Sequence, residues 1–134
     1  MKLEKEKINA FSIKKRLNMN NIIGVGTDIE SVIRFKDASF DTNKTFYQKI
    51  FTPTEIEQCL KKPNPNESFA ARFAAKEAII KATPIPVFFS QIEITSEKSP
   101  NVILHGPQFK NIKIELSISH TKEFALAFAI AIEK

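Results

Sequence analysis

The chain has 134 residues, 43% hydrophobic and 26% charged, with 20 lysines and arginines against 15 acids for a net charge of +5. That length suits one domain, and the composition is that of an ordinary globular protein rather than a disordered or fibrous one. The longest uncharged apolar run, 124–132, is too short to span a membrane, and a single cysteine, Cys59, excludes an internal disulfide.

Two histidines and one cysteine cannot supply the usual four ligands of zinc, so a metal here would need oxygen ligands, which points to magnesium. The lone cysteine suits a reducing cytoplasm, and the N-terminus lacks the apolar core and cleavage site of a secretory signal. The basic balance favours an acidic partner or a phosphorylated ligand. The lack of tryptophan and the single tyrosine, Tyr47, disfavour a platform for stacking nucleic-acid bases, although twelve phenylalanines leave it open.

Residues 1–18, "MKLEKEKINAFSIKKRLN", read as a lysine-rich N-terminal extension, and Met19 as an alternative start, which leaves 19–134 as the domain. "NIIGVGTDIE" (21–30) is short, apolar and β-branched, predicting a strand from Ile22 to Ile29. Its Gly24 and Gly26 read as a bulge or a close packing contact, because the third glycine of a dinucleotide fingerprint is missing. Short helices are expected over 31–36 and 44–51. "TPTEIEQCLKK" then gives a strong start signal, with Thr52 as cap, Pro53 first in the helix and Glu55 closing a capping box.

"PNPN" (63–66) breaks that helix, and Asn66 or Ser68 is the expected cap of a long one ending near Thr83 and Pro84. Beyond "PIPVFFS" the pattern turns strand-like, with short strands at 91–95 and 101–105. "IKIELSIS" (112–119) alternates apolar and polar residues. "FALAFAIAI" (124–132) sets Phe124, Leu126, Phe128, Ile130 and Ile132 on one face and alanines on the other. A strand apolar on both faces is covered twice, by its own core and by a helix or another subunit. "HTKE" joins the two as a hairpin. The class is α+β, helices first and an antiparallel sheet later.

The long helix carries "RFAAKEAIIKA" (72–82), whose alanines predict enclosure although Arg72, Lys76, Glu77 and Lys81 are charged. Two readings fit. Solvated pairs four residues apart suit Glu77 with Lys81, but Arg72 and Lys76 repel. A polyanionic ligand would use the cations for its phosphates and the carboxylate for the metal they bring. In "GVGTDIE", Asp28 and Glu30 project to one face of the strand, where like charges call for a cation. Asp28 and Glu77, with Glu30 as a further candidate, therefore form an oxygen-only site suited to Mg²⁺.

"GVGTDIE", "RFAAKEAIIKA" and "SISHTKEFALAFAI", in this order, resemble holo-[acyl-carrier-protein] synthase, of the 4′-phosphopantetheinyl transferase family. The resemblance runs from about Ile22 to Glu133 and is weakest over 83–110. It implies transfer of 4′-phosphopantetheine from coenzyme A to a serine of apo acyl carrier protein, releasing adenosine 3′,5′-bisphosphate, in support of fatty acid biosynthesis. It also implies the family's α+β fold as a homotrimer with active sites between subunits, which would cover the doubly apolar last strand.

By the same resemblance Asp28 and Glu77 match magnesium ligands, and Lys81 matches the lysine that meets coenzyme A phosphate. Arg72, Phe73 and His120 fall where the family contacts coenzyme A, and Arg34 where it meets the carrier protein. Lys36, Lys44 and Lys49 read as ordinary surface lysines. Glu77, directly or through water, would take the serine proton, and Lys81 would stabilise the departing bisphosphate.

The family's glycine-rich turn after this helix is replaced by "TPIPVFFS", with no glycine until Gly106. Proline lacks an N–H, so that part of the ligand cradle must be built differently. Two alternatives follow: a catalytically impaired homologue serving as a binding or oligomerisation module, and a basic nucleic-acid-binding protein. The second has no motif and leaves Asp28 and Glu77 without a role.

Overall fold

In the computed structural model, residues 21–134 are described, so the expected extension at 1–18 and the alternative start at Met19 lie outside them. Strand β1 (Ile22–Ser31) leads into helix α1 (Val32–Asp37), α2 (Lys44–Ile50), α3 (Pro53–Leu60) and the long α4 (Pro65–Ala82). Strands β2 (Ile92–Ile94), β3 (Val102–Leu104), β4 (Ile112–His120) and β5 (Phe124–Glu133) follow. The class is α+β, as the change of periodicity implied.

Local chemistry sets most boundaries. The capping box of α3 forms as expected: Glu55 N donates to Thr52 Oγ1 at 3.2 Å and Thr52 N to Glu55 Oε1 at 2.9 Å. Such a cap contributes about 1 kcal/mol. The start of α4 differs from expectation. Neither Asn66 nor Ser68 caps it; Asn64 stands at the N-cap and Pro65 begins the helix. Proline needs no donor in a first turn, so half of "PNPN" belongs to the helix rather than to the break.

Two antiparallel sheets form, one ordered β1–β5–β4 and the other β2–β3. The β4–β5 hairpin closes where Thr121 N donates to Phe124 O at 2.8 Å. Alanines 125, 127, 129 and 131 of β5 are fully buried, as are Ala70, Ala71, Ala74, Ala75 and Ala78 of α4. This is a small-residue interface between helix and sheet.

Gly24 and Gly26 make it closer still. A Cβ on Gly24 would lie 1.8 Å from Ala82 O, and one on Gly26 would lie 2.0 Å from Ala78 O. The packing contact is therefore real, and a register shift between Ile22 and Gly24 adds the bulge. Among the described residues, nothing covers the other face of the sheet. Phe124, Leu126 and Phe128 are about half exposed, with Val25 and Ile29 on neighbouring β1.

Candidate active site

Alternation along β1 turns Asp28 and Glu30 to the same face as buried Gly26, towards α4. On α4, Glu77 and Lys81 are one turn apart and meet that edge. Lys81 Nζ donates to Thr27 O at 2.9 Å and to Asp28 Oδ1 at 3.1 Å. The other carboxylate oxygen, Asp28 Oδ2, is buried without a hydrogen-bond partner. An unsatisfied buried carboxylate oxygen is costly and calls for a cation.

The neighbours sharpen that need. Burial, then the charge of Asp28, holds the Glu77 carboxyl above its ordinary range, with Lys81 opposing. Glu30 is pushed up to about 7, by burial first and then by hydrogen bonding and charge repulsion from Asp28. Glu30 Oε2 accepts from Arg34 Nη1 at 3.3 Å, across an ion pair whose arginine is 72% exposed.

Among the described residues no three His, Cys, Asp or Glu side chains converge as a ready-made metal cage. The donor set fits Mg²⁺ all the same, because that ion is commonly held by one or two carboxylates and completed by water and phosphate oxygens. Glu30, engaged by Arg34, is the least free of the three acids.

The other expected residues divide. Phe73, one turn before Glu77, stacks on Phe89 with ring centroids 5.7 Å apart and packs against Phe35 at 5.5 Å. It lines a cavity of about 120 Å³ with Arg34, Phe35, Ala38, Phe46 and Tyr47. His120 stands in one cross-strand row with Ala125 and Glu30, about 10 Å from the latter by two strand spacings. Its Nδ1 lies 3.9 Å from Glu67 Oε2.

Arg72 is 1% exposed, and its guanidinium donates to Ile94 O at 2.7 Å and Glu97 Oε1 at 3.4 Å. Within the protomer these interior acceptors occupy the group expected at coenzyme A. Lys76 is withdrawn from the polyanion reading. Its ammonium is wholly buried, 2.6 Å from Glu55 Oε1, and donates to the carbonyls of Ile50, Ile92 and Phe89. Sequence reasoning missed this role of Glu55. The capping box was visible, but nothing in a linear pattern announces a pairing from position 55 to position 76.

Two half-buried acids, Asp28 and Glu77, stand beside Lys81 where a strand meets a helix, an arrangement of the kind that suits a divalent cation. Comparison with known proteins agrees: the family model for the 4′-phosphopantetheinyl transferase superfamily matches residues 24–129. The chain belongs to that superfamily. A holo-[acyl-carrier-protein] synthase of Chlamydia felis is 43% identical over 116 residues, covering 81% of this chain and 95% of the relative.

Solved structures match as well. The holo-(acyl-carrier-protein) synthase of Bacillus anthracis, in complex with CoA (3′,5′-ADP), superposes with TM-score 0.70 at 30% identity, covering 84% of this chain and 98% of that one. The Helicobacter pylori enzyme in complex with coenzyme A gives TM-score 0.69 at 31% identity, covering 80% and 98%. Among the described residues no helix is long and apolar enough to cross a membrane.

Proposed function

We propose that this protein is a holo-[acyl-carrier-protein] synthase, which transfers 4′-phosphopantetheine from coenzyme A to a serine of apo acyl carrier protein. The observation that carries the reading is the meeting of Asp28, Glu77 and Lys81 at one edge of the helix–sheet contact. In the reaction the serine oxygen bonds to the β-phosphorus of coenzyme A, the pyrophosphate P–O bond breaks, and adenosine 3′,5′-bisphosphate departs. The nucleophile belongs to the carrier protein, so this chain need supply none.

Asp28 and Glu77 would hold Mg²⁺, which supplies neutralisation of the charge on the pyrophosphate oxygens. Glu77 takes the serine proton directly or through water. Lys81 is 52% exposed and its ammonium can turn from Asp28 to the leaving phosphate. Arg34, exposed beside Glu30, meets an acidic carrier surface. Arg72 acts from the interior, holding 94–97 in place.

His120 pairs with Glu67 rather than with the acid cluster, and the β1–β5 face is apolar and open. Both features support a homotrimer in which a neighbour's His120 completes the coenzyme A site. The lone, buried Cys59 is consistent with a reducing cytoplasm.

The test is direct. The protein is incubated with coenzyme A, Mg²⁺ and apo acyl carrier protein, and the carrier is weighed by mass spectrometry. A mass gain of one phosphopantetheine is expected. Folded protein that adds nothing at any concentration leaves the non-catalytic alternative in its place.

A further inference from the structure

Helix α4 is gripped on two sides. Its alanines lie against β1 and β5, with the glycine contacts of β1 at Ala78 and Ala82. From its interior side, Lys76 and Arg72 project one turn apart and hold the chain that follows the helix. Lys76 Nζ bonds the carbonyls of Phe89 at 3.2 Å and Ile92 at 2.7 Å, and Arg72 bonds Ile94 O and Glu97.

Lys76 also bonds Ile50 O, at the last turn of α2, at 2.7 Å. Glu55 completes the node, accepting from Thr52 N, Ile94 N at 3.0 Å and the Lys76 ammonium. The ends of α2 and α3, the middle of α4 and the start of β2 thus share one buried ion pair, adjacent in sequence to Glu77.

We infer that Lys76, with Glu55, is a positioning residue for Glu77: the buried pair fixes the rotation and slide of α4 against β1, and so the meeting of Glu77 and Lys81 with Asp28. The physical reason is geometric. An alanine–glycine interface has few interlocking side chains to resist rotation of a helix, whereas a charge bonded to three carbonyls and a carboxylate has one low-energy position. A shift of about 1 Å at reacting groups can cost roughly 100-fold in rate. The catalytic readout of this role rests on the proposed function; the structural readout does not.

The test removes the charges together. Lys76→Met alone strands a buried carboxylate, so the informative variant is Lys76→Met with Glu55→Gln, in which both sites are neutral. The control is Phe109→Leu, a buried change elsewhere, compared at equal distance below its melting midpoint. Mn²⁺ binding, read by water-proton relaxation, is expected to weaken roughly 10-fold in the double variant, with kcat down roughly 10- to 100-fold. The KM for carrier protein should stay within about twofold, because α1 and Arg34 are outside the node.

Wild-type Mn²⁺ affinity and kcat in the folded double variant would overturn the inference, as would equal losses in the control. A crystal structure of the double variant with α4 unmoved against β1 would overturn it too. Should that variant not fold, Lys76→Gln with Glu55→Gln, which is neutral at both positions and keeps two N–H donors at 76, is measured in the same way and must show the same losses in smaller degree. Wild-type protein that binds no Mn²⁺ and modifies no carrier would instead defeat the proposed function, leaving the helix position to be judged from the crystal structures.

Discussion

Lys81 Nζ lies 3.1 Å from Asp28 Oδ1, joining residues 53 positions apart across the crossing of α4 and β1. The ammonium bonds one oxygen of the carboxylate and leaves Oδ2 buried and unmatched. The lysine itself is 52% exposed.

Asp28→Asn and Glu77→Gln should each lower the rate of phosphopantetheine transfer by about 10²-fold or more, on the scale of removing one preorganised electrostatic contact. Both should leave the fold intact, and without divalent ion both should raise the denaturation midpoint, because each relieves repulsion among three crowded acids. Mass spectrometry of the carrier and urea denaturation check the two halves. A variant with full activity would remove that residue from the site.

Glu30 makes stability depend on pH. Its folded pKa, about 7, exceeds the ordinary value of 4.5. Between those values the native state holds a proton that the unfolded chain has released, so stability falls as pH rises through this window and levels off above about 7. Discounted for screening on the Arg34 side, the loss is roughly 1–2 kcal/mol. Glu30→Gln should flatten the profile from about pH 5 to 8, and millimolar Mg²⁺ should do so in the unaltered protein. Urea midpoints measured at closely spaced pH values would show it.

Gly26→Ala places a methyl 2.0 Å from Ala78 O and 2.9 Å from Lys81 Cβ. Backbone must move, at a cost of about 1–3 kcal/mol. Because the obstructed turn carries Glu77 and Lys81, activity should fall more steeply than the melting temperature. Ordinary activity and stability in the Gly26→Ala protein would mean that helix and strand do not approach so closely.

Phe128→Asp or Leu126→Glu alters the open face of β5 without touching its alanine face. Either should convert the expected trimer to monomer, seen by light scattering on a sizing column. Activity should be lost with it, since His120 then has no neighbouring acid cluster to complete. A monomeric unaltered protein with full activity would rule out the shared site.

Thr52→Ala removes the side-chain half of the α3 capping box and should cost about 1 kcal/mol. Thr52 N still donates to Glu55, so the buried pair with Lys76 survives and transfer should be nearly unchanged. A large loss of activity would show that the cap, rather than Lys76, orients Glu55.

The sequence by itself determined the order and type of the elements, because periodicity, capping residues and prolines act within a few positions of one another. It marked the two faces of β5, the likeness of its three motifs to one family, and Asp28 with Glu77 as acids wanting a cation. It could not tell which charges of "RFAAKEAIIKA" face inward. Arg72, Lys76, Glu77 and Lys81 differ little as letters, and only the packed structure sends the first two to Ile94, Glu97 and Glu55 and the last two to Asp28. The reason is distance along the chain. Those partners lie many helical turns away in sequence, 53 positions in the case of Lys81 and Asp28. Whether a charge is buried and paired or left for a ligand is therefore decided only when helix and sheet close on each other.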